Sequence, residues 1–166
     1  MPMLSDQVTL DIVGDTAAEP GYYIKLQHLV KELGLESKVS FHGHVGDKAM
    51  LAQFYQRADV FVLPSVVEGF GIVLLDAMSF RLPIVATLVG AIPELVQHGV
   101  NGLLVPPANP TALAEAIRHL LDSPTLREQY GQAGHNFITE RREFYSWEAV
   151  GERVLQAMQP LLEIVS

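Results

Sequence analysis

The chain has 166 residues, and 11 Lys+Arg against 19 Asp+Glu leave a formal charge of −8 at pH 7. With 49% apolar and 18% charged residues, it is too hydrophobic for a disordered chain and long enough for one domain with a real core. The negative charge excludes a nucleic-acid binder that works through a broad basic face, and the absence of cysteine excludes disulfides, thiolate metal sites and a cysteine nucleophile.

Residues 1–7 have neither the basic flank nor the apolar core of a signal peptide. Val8 to Val13 reads as a strand closed by Gly14-Asp15. From Gly21 the period becomes helical, with Tyr23, Leu26, Val30 and Leu33 on one stripe and Gly34 as the stop. Lys38 to His42 is a second strand. Asp47 is the N-cap of a helix that turns Leu51, Phe54, Tyr55 and Ala58 inward. Val60 to Leu63 is apolar without alternation, the pattern of a parallel strand covered on both faces.

After Pro64-Ser65 a loop leads to Gly71, and an apolar helix runs to Phe80. Pro83 to Ala86 is another apolar strand. The uncharged stretch Leu82–Pro93, with its two prolines, falls short of the ~18 residues of a membrane span. A short helix covers residues 91–97, and Asn101-Gly102 turns into the strand Leu103–Val105. Asn109-Pro110 and Ser123-Pro124 are cap-and-start signals of two further helices. A last helix is expected from about Ser146, carrying Trp147, Val150, Val154 and Leu161, with a break at Pro160. The alternation predicts one α/β domain over residues 1–166, with a doubly wound, Rossmann-like parallel core at 8–122 and C-terminal helices at 123–166.

In such sheets ligands bind beyond the carboxyl ends of the strands. Glu68-Gly69-Phe70-Gly71 stands there, directly before a helix. Its glycines let backbone approach a ligand closely, and the first-turn amides of the helix attract an anion. The same residues also suit a plain turn with a glutamate serving the helix dipole. A carboxylate beside an anion site makes chemical sense for a ligand that carries both a diphosphate and sugar hydroxyls. Asp76, eight residues after Glu68, is then placed for a second polyol such as a ribose.

The run Pro64-Ser65-Val66-Val67-Glu68-Gly69-Phe70-Gly71-Ile72-Val73-Leu74-Leu75-Asp76-Ala77-Met78 resembles the E-x7-E signature of retaining GT-B glycosyltransferases, the group 1 or family 4 type that includes sucrose synthases and bacterial mannosyltransferases. Ile12-Val13-Gly14-Asp15, Val39 to Gly43, Gly90-Ala91-Ile92-Pro93-Glu94 and Asn101 to Val105 agree in order. The resemblance implies the C-terminal, donor-binding half of such an enzyme, transferring a hexose from an NDP-sugar. Glu68 would hold the donor sugar as the catalytic-site carboxylate. Backbone amides of Gly69, Phe70, Gly71, Ile72 and Val73 would meet sugar and phosphate, and Asp76 the ribose. Gly14 and the backbone of Gly43, His44 and Val45 would line the nucleotide side.

The NDP-sugar is a substrate, and neither a metal nor a cofactor is implied. His42 and His44 would share a strand face but lack a third ligand. The saccharide or lipid-linked acceptor would sit against an N-terminal domain, and the intact enzyme would be cytoplasmic or peripheral to the membrane.

Three features depart from the pattern. Asp76 replaces a glutamate, Arg81 replaces a glycine, and the family's first strand-helix unit, with its basic diphosphate clamp, is not seen. That loss would leave Val8–Val13 and Val60–Leu63 unpaired towards each other and favour self-association. A sugar-nucleotide epimerase of the same fold, or an inactive domain that binds nucleotide or mediates assembly, are the rival readings.

Overall fold

The computed structural model describes residues 8–141, together with Glu152 and Gln156 in a helix. The expected features at Ser146, Trp147, Val150, Val154, Pro160 and Leu161 lie outside the described residues. Five strands, β1 (Leu10–Val13), β2 (Val39–Gly43), β3 (Phe61–Leu63), β4 (Ile84–Thr87) and β5 (Gly102–Val105), alternate with helices. These are α1 (Pro20–Glu32), α2 (Lys48–Arg57), α3 (Ile72–Ser79), α4 (Ile92–Leu95), α5 (Pro110–Leu121) and α6 (Pro124–Glu140).

Every ladder is parallel, but there are two sheets: β1 with β2, and β3-β4-β5 with β4 in the middle. β1 and β3 are not paired with each other, and no described strand joins the two sheets, which is the division expected of a doubly wound order read without its central first strand.

The larger sheet carries the core on both faces, because successive side chains alternate. Ile84 and Ala86 pack with Leu74, Met78, Ile92, Leu95 and Phe137. Val85 packs on the opposite face with Leu103, Leu120 and Tyr130. All four residues of β4 are buried. β3 corrects the reading of its apolar run: its residues are half-buried, because only one of its edges is paired. Asn101 is buried between α4 and β5, where its amide donates to the Leu95 carbonyl at 3.0 Å and accepts from the Gln97 N–H at 2.7 Å.

The smaller sheet is shallower. α1 has no buried residue; Tyr23, Leu26 and Val30 are half-buried, and Leu33, expected on the inner stripe, is 61% exposed past the end of the helix. Pairing slips between Ile12 and Val13, so that Val13 stands opposite Gly43. Gly43 has φ +65°, which ends the strand in a kink. His42 and His44 therefore do not continue one strand face; His42 instead bonds Asp11, 2.6 Å from Nε2 to Oδ1. Arg57, at the end of α2, donates to the other oxygen of Asp11 at 2.9 Å and lies 4.3 Å above the Phe54 ring.

The caps form as the residue types dictate. Asp47 accepts from the Ala49 N–H at 2.8 Å, Asn109 from Ala112 at 3.0 Å and Ser123 from Leu126 at 3.3 Å. Two helices end in the same Schellman motif. At α1, Leu35 donates to Val30 and Gly34 to Lys31; at α3, Leu82 donates to Ala77 and Arg81 to Met78. The left-handed residue is Gly34 (φ +66°) in the first and Arg81 (φ +57°) in the second. α6 crosses the second motif so closely that a Cβ on Gly131 would stand 2.0 Å from the Arg81 carbonyl oxygen.

A carboxylate loop and a helix mouth at the strand ends

The chain leaving β3 passes Pro64-Ser65 and reaches Glu68, which is half-buried. The Glu68 carboxylate is fixed locally: Ser65 donates its hydroxyl to Oε2 at 3.3 Å and the Gly69 N–H donates to Oε1 at 3.0 Å. Gly71 then takes φ +76° and caps α3. A Cβ there would meet Leu74 Cδ1 at 3.0 Å, a side-chain end that could shift slightly, so it is the left-handed angle that calls for glycine. The Leu74 N–H already turns back to the Gly71 carbonyl at 2.9 Å. The Ile72 and Val73 amides open the helix, where no preceding intrahelical carbonyl can take them. The side chains of Val67, Phe70 and Ile72 are 88%, 41% and 68% exposed, so the loop presents backbone, one carboxylate and an apolar rim.

Asp76 lies on the same helix. Burial pushes its carboxyl above the usual range. Burial first, and then the Asp76 charge, push the Tyr55 phenol up. Glu68, Gly69, Phe70, Gly71, Ile72, Val73 and Asp76 thus form one contiguous unit at the carboxyl end of β3.

Gly14, Gly43, His44 and Val45 gather elsewhere, at the ends of β1 and β2, where the Gly14 N–H donates to the Gly43 carbonyl at 3.0 Å. A hollow of about 160 Å³ beside them is lined by Gly14, Asp15, Thr16, Tyr22 and Tyr23. A second, of about 180 Å³, is lined by Pro64, Val66, Thr87, Asn109 and Leu113. Neither includes Glu68, whose site is an open shelf.

His98 is exposed and His135 half-buried. His98 Nδ1 accepts the Leu104 N–H at 3.0 Å, and His135 Nδ1 is buried with no partner among the described residues. No sequence spacing announces either, because both depend on contacts made by the folded chain.

The segment after β4 is bonded to the same loop. Thr87 donates its hydroxyl to the Ser65 carbonyl at 2.5 Å. The Ala91 N–H donates to the Gly69 carbonyl at 3.1 Å. No helix among the described residues is long and apolar enough to cross a membrane.

The family model "Glycosyl transferases group 1" matches residues 1–137. Among curated relatives, a D-inositol 3-phosphate glycosyltransferase of Streptomyces griseus is 37% identical over 136 residues, 80% of this chain and 28% of that protein. Sucrose-phosphate synthase from Thermosynechococcus elongatus superposes with a TM-score of 0.78 at 31% identity, over 94% of this chain and 39% of that one. HepE of Anabaena, solved with UDP and with UDP-glucose, superposes with TM-scores of 0.81 and 0.80 at 28% identity, over 94% of this chain and 42% of that one. The chain spans about a third of the length of the curated relatives it matches. The neighbours carry the GT-B fold, and the match to about 40% of their length is that of one half.

Proposed function

The chain belongs to the glycosyl transferases group 1 family, and from that premise we propose that it is the donor-binding half of a retaining enzyme that moves a hexose from a nucleoside diphosphate sugar to a saccharide or lipid-linked acceptor. The observation that carries this reading is the Glu68 carboxylate, anchored by Ser65 and the Gly69 N–H directly before the open mouth of α3. Each anchor uses part of one oxygen's capacity, and the remaining lone pairs accept sugar hydroxyls.

The Ile72 and Val73 amides, at the positive end of the helix dipole, take the diphosphate. Asp76, exposed on the same helix, takes the ribose hydroxyls, and hydrogen bonds from them favour its charged form. Gly14 and the backbone of Gly43, His44 and Val45 border the base. The work of this half is orientation of the donor and stabilisation of the charge that grows on the leaving diphosphate. That a UDP-sugar is the donor is supported by HepE, solved with UDP-glucose.

Calorimetry of the chain with UDP, GDP, ADP and UDP-glucose tests the reading; binding of none removes it. Glu68→Gln in the enzyme that carries this domain is expected to lower kcat/KM at least tenfold, about 1.4 kcal/mol, with the fold intact. An unchanged value would take the sugar away from Glu68.

A further inference from the structure

Gly90 lies in the turn between β4 and α4, at φ +53°. A Cβ built on it would stand 2.0 Å from the Glu68 carbonyl oxygen, 3.0 Å from the Glu68 carbonyl carbon and 3.1 Å from the Gly69 oxygen. Those are backbone atoms, which cannot swing aside as a side chain would. Restoring the 3.0 Å below which real Cβ contacts essentially never fall needs a shift of about 1 Å. On either side of this contact the same turn is bonded to the same loop, through Thr87 to Ser65 and through Ala91 to Gly69. Ser65 relays the hold, because its carbonyl accepts from Thr87 while its hydroxyl donates to Glu68. Thr87 is 3% exposed, so water does not compete for its hydroxyl.

We propose that Thr87 and Gly90 are positioning residues for Glu68: the turn after β4 is a mould that sets where the carboxylate meets the donor sugar. The inference rests on the reading of Glu68 as the sugar-binding carboxylate. A displacement of about 1 Å is enough to cost on the order of 10²-fold in a well-oriented site.

The test compares UDP-glucose with UDP, by calorimetry on the whole chain, in Glu68→Gln, Thr87→Val, Thr87→Ser and Gly90→Ala. Glu68→Gln is expected to lose the extra affinity that the sugar gives. Thr87→Val, which keeps the shape and removes the hydroxyl, is expected to lose at least fivefold in UDP-glucose affinity while UDP affinity changes less than twofold. Thr87→Ser should restore it. Gly90→Ala should repeat the loss more strongly, and hydrogen exchange at the Gly69 amide should quicken in both it and Thr87→Val. Thr87→Val binding UDP-glucose as the parent does, while Glu68→Gln does not, would overturn the mould. Glu68→Gln binding as the parent does would overturn the sugar reading and the mould with it. Should Gly90→Ala fail to fold, the Thr87 pair decides.

Discussion

The two sheets are built from the same kind of local sequence and differ in what surrounds them. β4 has a paired strand on each edge and helices over each face, and it is wholly buried. β1 has a strand on one edge, and its residues are exposed or half-buried. Burial, at roughly 25 cal/mol per Å² of apolar surface, therefore favours the three-stranded layer. The two-stranded layer relies on contacts of lower yield: the hydrogen bond of Asp11 with His42, its ion pair with Arg57, and the edge-on Tyr23–Phe41 pair at 5.3 Å. An apolar strand run thus reports what a strand can bury. How much it does bury depends on its neighbours.

The largest expected effect lies at the seam between the layers. β1 and β3 each present an unpaired edge among the described residues, and such edges recruit other strands. A protein limited to this chain is expected to self-associate and to transfer sugar at background level, without a protein wall to exclude water from the shelf. Sedimentation and a donor-hydrolysis assay check this, and Val13→Lys should reduce the association. A monodisperse monomer that glycosylates an acceptor would break the comparison.

Next comes the core. Leu74 is fully buried, and Leu74→Ala should cost about 2–5 kcal/mol in urea unfolding. Leu33→Ala, 61% exposed beside the smaller sheet, should stay within about 0.5 kcal/mol. Equal losses would mean that the smaller layer is as tightly packed as the larger.

The matched helix ends sharpen the contrast with the sign reversed. Gly34 suits its left-handed position, so Gly34→Ala should destabilise by about 1 kcal/mol. Arg81 occupies the equivalent position against the preference of any side chain with a Cβ, and Arg81→Gly should raise stability by up to about 1 kcal/mol. Thermal melts of the two variants should move in opposite directions.

The smallest effect is electrostatic. Partial burial alone would raise the Asp11 carboxyl, but the His42 hydrogen bond and the Arg57 charge outweigh it and hold the carboxyl below its ordinary 3.8. A depressed carboxylate stabilises the fold fully above its unfolded value, and that contribution is lost as pH falls through the folded one. The protection of the β1 and β2 amides, their exchange rates divided by the unfolded chain's rate at the same pH, should therefore fall as pH drops below about 4. Asp11→Asn should remove that dependence, at a cost under about 1 kcal/mol near neutrality because the pair is solvent-screened.

Much of this was readable in the chain. Asp47, Asn109-Pro110 and Ser123-Pro124 mark helix starts through bonds that span only two or three residues, and the Glu68–Gly71 run fixes a carboxylate ahead of a helix mouth by purely local geometry. Arg81 stood out as a side chain where the family motif has glycine, and it does take the left-handed angle. What escaped depends on distant partners. Asp11 and Arg57 are 46 positions apart, Thr87 and Ser65 are 22 apart, and the contact of Gly90 with the Glu68 carbonyl leaves no periodic trace. The half-exposure of β3 was hidden for the same reason, since four apolar residues in a row read alike beside one neighbour or two.

Asn101 gives the fold a record of its own history. In an Asn-Gly pair the glycine nitrogen can attack the preceding side-chain amide, closing a succinimide that opens to aspartate or isoaspartate. Here that amide is held at both ends, by Leu95 and Gln97, and Gly102 is clamped in β5 with no room above it, since a Cβ would meet the Ile84 carbonyl oxygen at 2.7 Å. The ring can close only when the α4–β5 junction comes apart. Isoaspartate at position 101 would then accumulate as a covalent count of those openings, and each event would place a permanent negative charge where the folded protein has a neutral amide bonded through both its oxygen and its nitrogen.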